Sequence, residues 1–282
     1  MRGRWQSALT LALLGATACA RTEVRVAGAA VAPAPIATEM PRATAVASPP
    51  IRERERGMLA PNVAEELALP VRDPRFFKRP HRPVALINHE IDVRLLSLPA
   101  PELPGGIDPE VLLEVAGLHA ELARVTPPST PAHDAARADA RDAYMRYQGI
   151  VAGSDGADSA AYFVALEYEL DGDRAVARAA YQSLLTQTPN AWTAPYCHVG
   201  LAELLLRDAH EDMTARAKAL AHYDAALKQL RHDQDLYPFV LLRIGQSELA
   251  LGDTKLGTKT LEKLATEFPR SEATKMISGS GE

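Results

Sequence analysis

Two stretches of this chain, LDGDRAVARAAYQSLLTQTPN at 170–190 and LGDTKLGTKTLEKLATEFPRS at 251–271, carry Gly-Asp near the head and a Pro seventeen places after the Gly. Small and apolar residues recur between them at matching steps. A repeated supersecondary unit cannot bury its apolar face alone and has to stack on copies of itself, so this spacing restricts the fold more than any other feature. Aligning Gly172 with Gly252 gives a register of about 34 residues, the length of two helices and their turns. The first unit sets Ala161, Val164, Ala165 and Tyr168 on its first helix and Ala177, Tyr181 and Leu184 on its second, closing at Pro189. The last unit sets Leu241, Ile244, Gly245 and Glu248, then Gly257, Leu261 and Leu264, closing at Pro269. A middle unit starts at Val199-Gly200 and completes with Ala219, Tyr223 and Ala226, carries extra residues around HEDMTAR in its turn, and lacks the closing Pro.

Gly200 against Ala219 and Gly245 against Gly257 would let helix backbones approach closely, while Tyr181 and Tyr223 fill the space between successive pairs. These positions resemble the tetratricopeptide repeat over residues 158–271, although Glu203 and Glu248 stand where that family commonly has Tyr. The resemblance implies an all-α helical-repeat solenoid that holds another protein. In the family the groove is lined from the first helix of each pair. Carrying those offsets over picks out Tyr162, Leu166 and Glu169, then Cys197, Leu201 and Leu204, then Leu242, Gln246 and Leu249. The Lys and Asn of a chain-end clamp are missing, and the set is mostly apolar. It fits an amphipathic helix of a partner, or the chain's own VALINHEIDVRLLSL segment at 84–98.

Residues 107–152 read as a further helical pair and a candidate degenerate repeat. Asp108 is placed as N-cap with Pro109 at the first helical position, and a second helix runs from about Ala132 to Ile150. The part before this differs in texture. Thirteen of the 21 prolines precede residue 107. Residues 19–61 form a Pro/Ala-rich tether with too little bulk to offset its ordering entropy, and are expected to be largely disordered. Residues 62–106 read as an irregular segment, with a short helix capped by Asn62 and an extended β-branched run at 84–98; residues 272–282 form a tail.

Residues 1–18 put Arg2 and Arg4 ahead of a short apolar run and finish in small residues, the build of an export signal. LLGATAC resembles the lipobox of bacterial lipoproteins, which implies lipidation of Cys19 and, from Ala20, the outer membrane facing the periplasm. Ala16 stands where that family usually has Leu, and Ala16 with Ala18 also forms an ordinary cleavage site, which would leave a soluble periplasmic protein. The closing run GDTKLGTKTLEKLATEFPRSEATKM, with the exported N-terminus, resembles Tol-Pal-associated periplasmic repeat proteins and outer-membrane assembly lipoproteins.

No nucleophile with its base, metal set or phosphate loop is legible, so neither cofactor nor metal is expected. His89-Glu90 reads as a surface pair. His210, Glu211 and Asp212 read as a solvated loop, and Cys197 as a core thiol. A formal net charge of -5 argues against nucleic acid. The sequence therefore reads as a non-enzymatic envelope scaffold binding another envelope protein or peptide. The alternatives are a cell-wall hydrolase with its catalytic groups in the N-terminal half, or a self-associating structural subunit, a homo-oligomer.

Overall fold

A computed structural model describes residues 71–97, 107–209 and 212–278. The export signal, Cys19, the tether, the helix after Asn62, and His210 and Glu211 lie outside the described residues. The described residues contain helices and turns and no strand. In chain order the helices are α1 (Val84–Ser97), α2 (Pro109–Val125), α3 (Pro131–Ile150), α4 (Asp155–Leu170), α5 (Arg174–Gln187), α6 (Ala194–Ala209), α7 (Met213–Gln229), α8 (Leu236–Ala250), α9 (Thr254–Glu267) and α10 (Glu272–Ser278). Each packs chiefly on its neighbours in sequence, the pattern of a stacked array, with α10 folded back on α8.

The pairs α4/α5, α6/α7 and α8/α9 occupy the three units of the sequence register. Gly172 and Gly252 have φ of 87° and 92°. Asp173 N–H donates to Tyr168 O at 2.9 Å and Gly172 N–H to Glu169 O at 3.1 Å; Asp253 and Gly252 repeat the pattern on Glu248 and Leu249 at 3.0 Å each. The last carbonyls of α4 and α8 are thus satisfied by a turn that only a residue free of Cβ strain adopts cheaply, and this is why Gly-Asp recurs. Pro189 and Pro269 then fall just beyond α5 and α9, where a ring that cannot continue the ladder stops the second helix.

Small residues serve the helix crossings in two different ways. A Cβ on Gly257 would stand 2.8 Å from Gly245 O, so α8 and α9 touch through their backbones there. A Cβ on Gly200 would meet the Tyr181 ring at 2.7 Å and Arg72 Nη1 at 3.0 Å. Gly200 therefore makes room for the wedge of the preceding pair. Tyr181 and Tyr223 are both fully buried.

Asp108 caps α2 by accepting from Glu110 N–H at 2.9 Å with Pro109 at the first helical position, as the sequence indicates, and Thr130 caps α3. The run at 84–98 is different. Expected to be extended, it is helix α1, set off by Pro83, with Ile87 and Ile91 one turn apart as the residues it buries. Packing on α2 selects helix there despite the β-branched residues, since strand propensity counts only where a sheet offers a partner.

Candidate functional site

The first helices α4, α6 and α8 present one common face, and it is covered by the chain itself. The covering segment is Val71–Phe77, not the run at 84–98. Arg72, with 0% of its side chain exposed, forms a bidentate pair with Glu169: Nη1 donates to Oε2 at 2.8 Å and Nη2 to Oε1 at 2.6 Å. Tyr162 donates its hydroxyl to the Arg72 carbonyl at 2.7 Å, which holds the segment by its backbone. Glu169 also accepts from Tyr181 at 2.9 Å and from Arg207 at 2.8 Å. Burial pushes the Glu169 carboxyl up, but Arg72, Arg207 and the Tyr181 hydroxyl outweigh it and leave the group below its ordinary range.

Two residues earlier on α4, Glu167 takes Arg75 of the same segment. Its guanidinium donates to Glu167 Oε1 at 2.7 Å, to Asp73 Oδ1 and Oδ2 at 2.8 Å each and to the Tyr144 hydroxyl at 2.8 Å, and lies 4.4 Å from the Phe163 ring centroid. Arg137 of α3 takes the other Glu167 oxygen at 2.6 Å. Val71 and Phe77, the two ends of the segment, line a small cavity with Phe239 of α8, and beyond the segment Arg82 engages Glu121 of α2.

The nine groove positions carried over from the family divide. Tyr162 and Glu169 hold the segment. Leu166, Cys197, Leu201 and Leu204 are buried in the main core together with Val71. Leu242 packs with Leu264 and Ala273 beneath α10. Gln246 is half-buried and accepts from Arg243 at 3.3 Å, and Leu249 packs into the α8/α9 crossing against Gly257. Burial pushes the Cys197 thiol up to about 12, so it stays protonated and inert.

The two departures from the family pattern are accommodated in kind. Glu203 lies fully buried and takes Arg243 of the next pair, with Nε to Oε1 at 2.7 Å and Nη2 to Oε2 at 2.5 Å, plus the Tyr223 hydroxyl. Glu248 accepts from Thr260 at 2.7 Å. Sequence reading missed Arg72, Arg75 and Arg243, but a signal was present: Glu167 and Glu169 interrupt the apolar C-terminal half of α4, and buried carboxylates require a cation from somewhere.

Between α6 and α7 a second polar arrangement appears. His198 and His222 bring their Nδ1 atoms to 3.0 Å. Burial, and then the neighbouring imidazole, push His198 down to about 4, and burial lowers His222 as well. An unfolded His takes up its proton near ~6.5, so below that pH the unfolded chain binds more protons than the folded one. Stability should therefore be full above about 6.5 and decline toward about 4, modestly, because both rings are partly exposed. Glu169 and Glu203, held below the usual carboxylate range, add their own loss only at lower pH. Melting temperatures at pH ~7.5 and ~5 should differ in the natural chain, and the difference should narrow in His198→Gln. An unchanged difference in that variant would acquit the pair.

Among the described residues no three His, Cys, Asp or Glu side chains gather as a metal set, and no helix is long and apolar enough to cross a membrane. Residues 239–271, the third helix pair with its closing Pro, match the tetratricopeptide repeat family. No curated protein matches the chain. Among solved structures, the crystal structure of BtubC (BKLC) from P. vanneervenii is similar at a TM-score of 0.43 and 16% identity, over 76% of this chain and 82% of that one. The described residues thus form an all-α array of repeat-like helix pairs consistent with a tetratricopeptide-like fold, a fold that serves as a protein-interaction module.

Proposed function

We propose that this chain is a non-enzymatic scaffold of the bacterial cell envelope. Its helical repeats bind another envelope protein or peptide, and lipid on Cys19 holds it at the outer membrane facing the periplasm. One observation carries the interaction reading: the face of α4, α6 and α8 holds a polypeptide segment, Val71–Phe77, through a backbone carbonyl and two guanidinium groups. A surface that binds peptide in cis has the chemistry to bind it in trans. The export signal, the tether and the lipobox-like LLGATAC support the envelope setting.

The nine groove positions are proposed as the partner's site. Most of them are now covered, so a partner reaching Tyr162 or Glu169 has to replace Arg72 and bring a basic group of its own, because an unpaired buried carboxylate is costly. Gln246, half-buried at the third pair, is the open end of the set.

Site-specific photocrosslinking in intact cells tests this, with the probe at Gln246 and, as control, at exposed Thr258 on α9. The expected result is one dominant adduct at Gln246 with a protein that itself carries an export signal, and none at Thr258. A cytoplasmic adduct, or identical products from both positions, would overturn the reading. Cell fractionation tests the anchor: Cys19→Ser should move the protein from the membrane to the soluble fraction, and retention would remove lipidation from the account.

A further inference from the structure

Beside the docked segment lies a cavity of about 500 Å³ that none of the nine groove positions lines. Phe76, Phe77, Leu170 and Ala120 supply its apolar lining. Four cationic side chains, Lys78, Arg79, Arg124 and Arg137, also line it, against three carboxylates, Asp73, Glu167 and Glu272.

Nearly all of these charges are committed. Asp73 is held by Arg75 at 2.8 Å, Glu167 by Arg75 at 2.7 Å and Arg137 at 2.6 Å, and Glu272 by Lys275 at 2.6 Å. Lys78 pairs with Asp235 at 2.5 Å. Arg79 and Arg124 are left. Arg79 forms no ion pair among the described residues. Arg124 lies 4.8 Å from the Phe76 ring centroid, and its Nε and Nη2 atoms are buried without any hydrogen bond. The Glu121 carboxylate is 3.9 Å from Nη2, but both its oxygens are taken by Arg82.

Those two Arg124 atoms are closed off from the cavity, but Arg124 and Arg79 both line it with no hydrogen-bonded carboxylate of their own, and guanidinium groups so placed are available to an anionic ligand. With the three lining carboxylates held by other cations, Arg79 and Arg124 leave the lining with positive charge that an anion balances. A planar guanidinium matches a carboxylate in a bidentate fork, and the apolar lining strengthens that attraction while leaving the remainder of the ligand to be apolar. The volume falls within the range of about 300–1,000 Å³ typical of small-ligand sites.

We propose that this cavity binds an amphiphilic carboxylate, its anionic end on Arg124 and Arg79 and its apolar or aromatic body against Phe76, Phe77 and Leu170. The carboxylate belongs either to a small organic acid or to the C-terminal apolar residue of a peptide. The site stands apart from the groove proposed above, and its failure would leave that reading intact.

Titration calorimetry on the full chain tests it with four probes: 4-phenylbutyrate, 4-phenylbutyramide, and a short peptide ending in Phe with a free or an amidated terminus. Saturable binding of at least one acid is expected, with its amide weaker by about tenfold or more, as the loss of a charge-assisted pair requires. Tighter binding of the peptide assigns the site to a chain end, and tighter binding of phenylbutyrate assigns it to a small acid. Arg79→Ala should weaken acid binding by about tenfold with little change in the melting temperature, since Arg79 is exposed and forms no ion pair among the described residues. Arg124→Gln should weaken acid binding by a similar factor. No saturable binding by either acid, equal binding of acid and amide, or acid binding indifferent to Arg79→Ala would overturn the proposal.

Discussion

Arg72→Met should lower the stability of the domain by about 3–5 kcal/mol, as removal of one partner from a buried ion pair does. Neither side chain of the Arg72–Glu169 pair has any exposure, so water cannot take the place of the lost guanidinium. Arg207 and Tyr181 still reach Glu169 at 2.8 and 2.9 Å, which sets the expected loss nearer the lower end of that range. Arg72→Lys should restore little, since a point charge cannot reproduce the two parallel contacts. The distinguishing measurement is a double-mutant cycle in urea. Removing the charge from both sides, as Arg72→Met with Glu169→Gln, should recover much of the loss, because most of the single-mutant cost is the stranded carboxylate and not the pair's net worth. A loss under about 1 kcal/mol for Arg72→Met, the size of an exposed pair, would mean that Val71–Phe77 does not lie across the repeats.

This segment also marks the boundary of what the sequence discloses. The three helix pairs are legible because their determinants are local: Gly at a positive φ after the first helix and Pro after the second mark the outer two units, and a Tyr wedge at a fixed offset marks the first and the middle one. The docked segment has no such local signature. The four prolines at 70, 74, 80 and 83, in and around it, read as interruptions, and Arg72 and Arg75 find Glu169 and Glu167 at separations of 97 and 92 residues. The same holds for Glu203, which replaces the family's Tyr and is matched by Arg243 forty residues on. Helix α1 misled for a related reason: its apolar run fits a strand by composition, and only contact with α2 decides otherwise. Of the groove positions, Tyr162 and Glu169 fall where the segment is held, while Leu249 packs toward the close Gly245/Gly257 crossing.

That crossing carries the second large effect. Gly257→Ala should destabilise by about 1–3 kcal/mol, although alanine is the better helix former by roughly 0.5–1 kcal/mol and the position is helical. The sign is decided by what the added methyl meets. It would stand 2.7 Å from Leu249 Cγ and 2.8 Å from Gly245 O. Leu249 can turn aside, but a backbone carbonyl can retreat only if α8 and α9 separate, and that loosens the packing of Leu264 and Leu242 along with it. Gly117 in α2 is the matched control: a Cβ there has nothing within 4 Å, so Gly117→Ala should keep the propensity gain and raise stability by about 0.5–1 kcal/mol. Urea midpoints of the two variants, measured against the natural chain, should therefore move in opposite directions. If both move upward, α8 and α9 do not cross through their glycines, and the reason for small residues at that step of the repeat has to be sought elsewhere.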